Sequence, residues 1–129
     1  MNVVDSSAWL EYFADGANSD HFAQAIEDTE RLLVPTISVY EVFKRILELR
    51  GEDDALQAVA LMRQGRLVEL TDDLALSAAA LSVEKRLPMA DSIILATAYR
   101  HKAVLWTQDA DFDSVPGVRY VAKPADSGD

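Results

Sequence analysis

Short apolar runs alternate with longer stretches of helical periodicity in this chain, which predicts an α/β protein: a three-layer α/β/α sandwich around a central, mainly parallel sheet. Half of the 129 residues are hydrophobic, enough to bury a substantial core in one domain spanning 1–129 and too few for two. Breaks recur between the runs at Gly16, Gly51, Gly65 and Leu87-Pro88. Strands joined through helices in this way run parallel, with right-handed crossovers, and are covered on both faces.

Met1–Val4 is a first strand, ended by Asp5-Ser6-Ser7, whose polar side chains can cap a helix over Ala8–Ala14 stopped by Gly16. A second helix follows Asn18-Ser19 to Glu30, and Leu32–Val34 is a strand closed by Pro35. Thr36 is placed to cap a long helix through Arg50, with Gly51 as its stop and Val39, Val42, Phe43, Ile46 and Leu49 as its buried stripe. Leu56, Val59 and Ala60 mark a helix from Glu52 to Gln64. Arg66–Leu70 alternates apolar and polar residues as a strand does, and Thr71-Asp72 can cap an Ala- and Leu-rich helix to Arg86. The residue before a proline avoids helical backbone, so Leu87-Pro88 separates that helix from an amphipathic one that carries Asp91 and ends near His101. Ala103–Trp106 is a strand, Thr107–Asp113 a polar loop, Pro116-Gly117 a turn and Val118–Val121 a last strand; the tail from Pro124 is expected to fray.

The absence of cysteine excludes disulfides and thiolate metal sites and agrees with a reducing, cytoplasmic setting. No apolar run approaches the roughly 20 residues of a membrane span, so no membrane partner is expected, and MNVVDSS lacks the basic and apolar regions of a signal peptide. Twelve basic residues against 22 acidic ones give a formal charge of −10. That balance argues against a nucleic-acid partner unless the acids gather around bound cations, which invert the local field.

The sharpest chemical signal lies in LPMADSIILAT, Leu87–Thr97. Asp91, Ile94, Leu95 and Ala98 share one helical face, so a carboxylate sits where the helix starts to bury itself. Such an acid either favours the positive end of the helix dipole from a solvated rim or faces a pocket shared with other polar groups. Three more acids occupy similar points: Asp5 ends a strand, Glu41 lies in the early turns of a helix, and Asp109 follows an apolar strand. Ligands of open α/β sheets bind outside the carboxyl ends of the strands, where these four can converge. Each also has a purely structural role open to it: Asp5 as a helix cap, Glu41 in an i, i+4 pair with Arg45, Asp91 as a dipole acid, Asp109 in an Asx-turn. Two carboxylates about 4 Å apart repel by about 4 kcal/mol at an effective dielectric of 20, so a convergent quartet calls for a positive partner or takes up protons. Oxygen donors alone, with His21 and His101 on other stretches, suit Mg²⁺ or Mn²⁺ rather than zinc.

The segments VVDSSAW, ISVYEV, LPMADSIILATA and LWTQDADF, in this order and spacing, resemble the four signature segments of PIN-domain ribonucleases, most closely the VapC-like toxins of toxin–antitoxin pairs. The resemblance runs from Met1 to about Val121. It implies a PIN-like fold and an acidic site of Asp5, Glu41, Asp91 and Asp109, with Ser7 or Thr107 as a supporting hydroxyl and Asp111 or Asp113 replacing or joining Asp109. It also implies a Mg²⁺- or Mn²⁺-dependent endoribonuclease, a homodimer, and a cognate antitoxin protein that covers the site. In such a site Asp5 and Asp91 are the principal ligands, Glu41 binds directly or through water, Asp109 completes the shell, and Ser7 orients Asp5. Hydrolysis then leaves 5′-phosphate and 3′-hydroxyl ends, since no histidine is placed as general base and no protein nucleophile is needed.

An acidic enzyme must still hold an acidic substrate. Lys44 and Arg45 follow Glu41 by about one turn and Lys85-Arg86 shortly precedes Asp91, so these four are the expected grips on the RNA backbone. Trp9, Leu10, Tyr12 and Phe13 crowd the first helix, either as its core face or as a surface for an inhibitor's amphipathic helix. Two other function classes stay open. One is a non-catalytic acidic module that binds a protein partner through this aromatic face. The other is a receiver-like signalling domain, which needs a lysine after the last core strand; none stands there beside Trp106.

Overall fold

A computed structural model of the protein describes residues 1–125; residues 126–129, the end of the tail expected to fray, lie outside the described residues. The strands are β1 (Asn2–Val4), β2 (Leu32–Pro35), β3 (Arg66–Val68), β4 (Val104–Thr107) and β5 (Val118–Tyr120). The helices are α1 (Ser6–Phe13), α2 (Ser19–Ile26), α3 (Thr36–Arg50), α4 (Glu52–Met62), α5 (Asp72–Lys85) and α6 (Met89–Arg100). The strand order is β3-β2-β1-β4-β5 and every pairing is parallel, so the sheet is wholly rather than mainly parallel. From β1 the chain steps outward through β2 to β3, then returns to the other side of β1 as β4. The gap between β1 and β4 is therefore the topological switch point, the place where open sheets hold ligands.

Successive strand residues point to opposite faces. Val4, Leu32, Val34 and Trp106 pack with α1 to α4 in one cluster, while Val3, Leu33 and Leu105 pack with α6 in the other. Leu74 and Ala78 of α5 then close over Ile93 and Ala96 of α6. The result is the three-layer α/β/α sandwich. Because α6 is held between the sheet and α5, every residue from Ser92 to Ala98 is buried. It is buried on all sides rather than amphipathic, and Asp91 stands at its entry.

Several boundaries differ from the sequence expectation for local reasons. Asp5 alone caps α1, with extended backbone (φ −76°, ψ 172°) and a side chain that accepts from the Ala8 N–H, so the helix begins at Ser6. It closes at Phe13, before Gly16, because Asp15 takes left-handed backbone (φ 53°) and its N–H bonds the Tyr12 carbonyl three residues back. Helix α2 stops at Ile26, and Thr29–Arg31 is a separate 3₁₀ turn. Pro35, not Thr36, is the N-cap of α3 and offers no side-chain bond. The buried stripe of α3 is Ser38, Val42 and Ile46, whereas Leu49 is 63% exposed because the last turn of α3 runs past the core cluster. Helix α4 ends at Met62 and β3 at Val68. Arg86 terminates α5 in left-handed backbone (φ 57°).

Candidate metal centre

Two strand ends meet through one hydroxyl. Asp5, at the end of β1, is buried, and its Oδ1 accepts from the Ser7 hydroxyl at 2.8 Å and from the Ala8 N–H at 3.0 Å. Its Oδ2 accepts from Thr107 Oγ1 at 2.5 Å, and Thr107 is the last residue of β4. The Thr107 hydroxyl in turn accepts the Asp109 N–H at 2.9 Å. Both hydroxyls expected to support the site are thus in contact with Asp5.

The loop after β4 is shaped by its own aspartate. Asp109 Oδ1 accepts the Asp111 N–H at 2.9 Å and caps a 3₁₀ turn over Ala110–Phe112, whose Phe112 is fully buried. That turn brings Asp111 back toward α6. Asp91, Asp109 and Asp111 each offer a carboxylate oxygen, and these atoms lie within 4.8 Å of one another. Asp113 caps the far end of the turn, is exposed, and stands outside this group.

Glu41 enters from α3. Its Oε1 accepts the Ser6 hydroxyl at 2.6 Å, and it makes no ion pair with Arg45; among the described residues the one ion pair is Arg31–Asp28. Glu41 therefore forms no surface pair along its own helix; its charge bears on Asp91, but it stands outside the group of three carboxylates whose oxygens lie within 4.8 Å of one another.

The electrostatics of the acids follow from this crowding. Burial pushes the Asp91 carboxyl up to about 7, and the charges of Asp109, Asp5, Asp111 and Glu41 push the same way. Burial pushes Asp5 up to about 6 against the hydrogen bonds from Thr107, Ala8 and Ser7, with the charge of Asp109 adding to the rise. Five carboxylates bear on one edge of the sheet, three of them with oxygens within 4.8 Å of one another, and hard oxygen donors of this kind suit a divalent cation. His21 packs against Phe22 and Trp106, away from this donor set.

The remaining expected residues scatter. Lys44 sits over the Tyr40 ring at 5.8 Å, Arg45 lies along a groove with Leu10, Phe13, Ala14 and Leu49, and Lys85 and Arg86 end α5. Trp9 is fully buried and stacks on Phe13 at 5.6 Å, so it belongs to the core and no partner can touch it; the aromatic face reduces to half-buried Tyr12 and Phe13. Sequence reasoning missed Ser6 and missed Gln108, buried beside Asp109, whose Oε1 accepts from Asn18 Nδ2 at 3.0 Å.

A family model described as PIN domain matches residues 3–118. No curated protein matches the chain. Among solved structures it is similar to a toxin–antitoxin complex from Klebsiella pneumoniae, with 23% identity over 92% of this chain and 96% of that one and a TM-score of 0.77. It is also similar to VapC20 of Mycobacterium tuberculosis, a toxin that cleaves the sarcin-ricin loop, with 18% identity, coverage of 90% and 95%, and a TM-score of 0.75. DNA-bound VapBC from Salmonella typhimurium gives 14% identity, coverage of 94% and 96%, and a TM-score of 0.72. At these identities the structural likeness is one of fold. The family match itself takes in all six helices and every acid at the switch point, and the chain belongs to the PIN domain family.

Proposed function

We propose that this chain is a Mg²⁺- or Mn²⁺-dependent endoribonuclease acting as the toxin of a toxin–antitoxin pair. The observation that carries the reading is the meeting of Asp91, Asp109 and Asp111, with Asp5 and Glu41 close enough to raise the Asp91 pKa, at the switch point of the sheet. Such a cluster repels itself unless a cation neutralises it. The solved relatives lend support, one being a toxin that cleaves the sarcin-ricin loop and another a DNA-bound toxin–antitoxin assembly.

A bound divalent cation would supply a lowered pKa for the attacking water and neutralise charge that gathers on the scissile phosphate. Asp91, Asp109 and Asp111 would hold it, with Glu41 reaching it directly or through water. Asp5 is the floor of the site, since three donors hold its carboxylate, two from α1 and one from β4. Thr107 ties that floor to the Asp109 loop. Lys44, Arg45, Lys85 and Arg86 would contact the RNA backbone.

The reading includes a homodimer and an antitoxin protein. The groove between α1 and α3 suits an apolar helix with acidic flanks, because Leu10, Phe13, Ile46 and Leu49 line it beside Arg45 and Arg50. The test of the reaction class is end-group analysis of RNA cut by the purified protein. Ends bearing 5′-phosphate and 3′-hydroxyl are expected; 2′,3′-cyclic phosphates would make the RNA's own 2′-hydroxyl the nucleophile and contradict hydrolysis.

A further inference from the structure

Two adjacent serines open α1, and their hydroxyls go to different carboxylates. Ser7 donates to Asp5, two residues back; Ser6 donates to Glu41 Oε1 at 2.6 Å, across 35 residues and onto another helix. Serine and threonine hydroxyls inside helices usually return to their own backbone. In α6 they do so: Ser92 donates to the Met89 carbonyl and Thr97 to the Ile93 carbonyl. Ser6 is the first residue of α1, where the carbonyl four residues back belongs to β1, so its hydroxyl is free to reach α3.

Glu41 needs an external hold. It stands on α3 with a long side chain, no lysine or arginine pairs with it within the described residues, and its negative charge bears on that of Asp91. The hydrogen bond from the short Ser6 side chain supplies that hold, since bonds to a charged acceptor are the stronger ones.

We propose that Ser6 is a positioning residue: its hydroxyl holds one oxygen of Glu41 so that the other faces the Asp91, Asp109 and Asp111 group and meets a divalent cation or its hydration water. The inference rests on the metal-dependent reading above. Ser6 touches neither RNA nor the cation and acts only through Glu41.

The test is Mn²⁺ binding to RNA-free protein, followed by electron paramagnetic resonance, for the parent chain, Ser6→Ala, Ser6→Thr, Glu41→Gln and the Ser6→Ala/Glu41→Gln pair, with Asp91→Asn as reference. Ser6→Ala is expected to weaken binding roughly 10-fold, as loss of a partner behind a ligand usually does, while Ser6→Thr stays near the parent. In the Glu41→Gln background Ser6→Ala should add little. Alanine at a first helical position leaves the fold intact, which the unfolding midpoint checks. Parent binding that is lost in Asp91→Asn but unchanged in Ser6→Ala overturns the role of Ser6 and leaves the metal reading standing. Equal binding in the parent and Asp91→Asn, or none in the parent, overturns the metal reading and this inference with it.

Discussion

Thr107 Oγ1 donates to Asp5 Oδ2 at 2.5 Å, a bond between residues 102 positions apart that joins the ends of β1 and β4. The same hydroxyl accepts from Asp109, so one buried side chain sets both the floor of the acidic site and the start of the loop that carries its other acids. Thr107→Val should cost about 1–3 kcal/mol in urea unfolding, the usual penalty for a buried group left without its partner. Thr107→Ser should recover most of it. Equal midpoints for valine and the parent would mean that the bond is incidental.

The metal-free protein should lose stability as pH rises from about 4 to about 7. Asp5 and Asp91 have folded pKa values of about 6 and about 7 against an ordinary 3.8, so the native state keeps protons that the unfolded chain has already released in that window. Stability from this source is full below the ordinary value and exhausted above the folded ones. Asp91→Asn removes one of the two titrations and should flatten the fall, and Mg²⁺ should do the same from the neutral side because it binds the ionised carboxylates. The check is the thermal midpoint between pH 4 and 8 for both proteins, with and without Mg²⁺; a parent curve no steeper than that of Asp91→Asn would contradict the assignment.

Asp111 and Asp113 should separate cleanly. Asp111→Asn removes a member of the carboxylate group within 4.8 Å of Asp91 and should weaken Mn²⁺ binding, whereas Asp113→Asn should leave it unchanged. Isothermal titration of each variant decides, and equal losses would place Asp113 at the ion.

Trp9→Ala should destabilise the fold by about 3–5 kcal/mol, as large-to-small changes in a packed core do. Phe13→Ala should be milder and should act on the α1–α3 groove, lowering affinity for an amphipathic inhibitor helix. Measuring chemical unfolding beside partner binding separates the two; a Trp9→Ala protein that is stable but deaf to its partner would return Trp9 to the surface.

The alternation of apolar runs with helices was enough to read the layers and the sheet edge, because strand ends and helix starts must fall there. Asp5 and Asp91 were legible for that reason. A structural role and a place in the cluster are not alternatives: Asp109 makes its Asx-type cap while staying in the carboxylate group, whereas Asp5 caps α1 and adjoins that group through Thr107. Ser6 was not legible, since its partner lies on α3, and a hydroxyl at a helix start reads equally well as a cap. Density of aromatic residues on a short helix does not say which of them faces the sheet, so the sequence leaves Trp9 open between core and partner surface, and the structure puts it in the core. The choice between Asp111 and Asp113 turned on a 3₁₀ turn of three residues, Ala110–Phe112, too short to leave a periodic signal.

The central claim is that the acids at the β1–β4 switch point form a metal-dependent ribonuclease site. The most direct measurement is cleavage of a mixed RNA pool by antitoxin-free protein in Mg²⁺, Mn²⁺ or EDTA, beside Asp91→Asn purified identically. Cutting that requires the ion and falls by at least about 100-fold in the variant is the result expected when a ligand that organises the reaction centre is lost. Equal cutting by the parent and Asp91→Asn, or cutting that persists in EDTA, would contradict it.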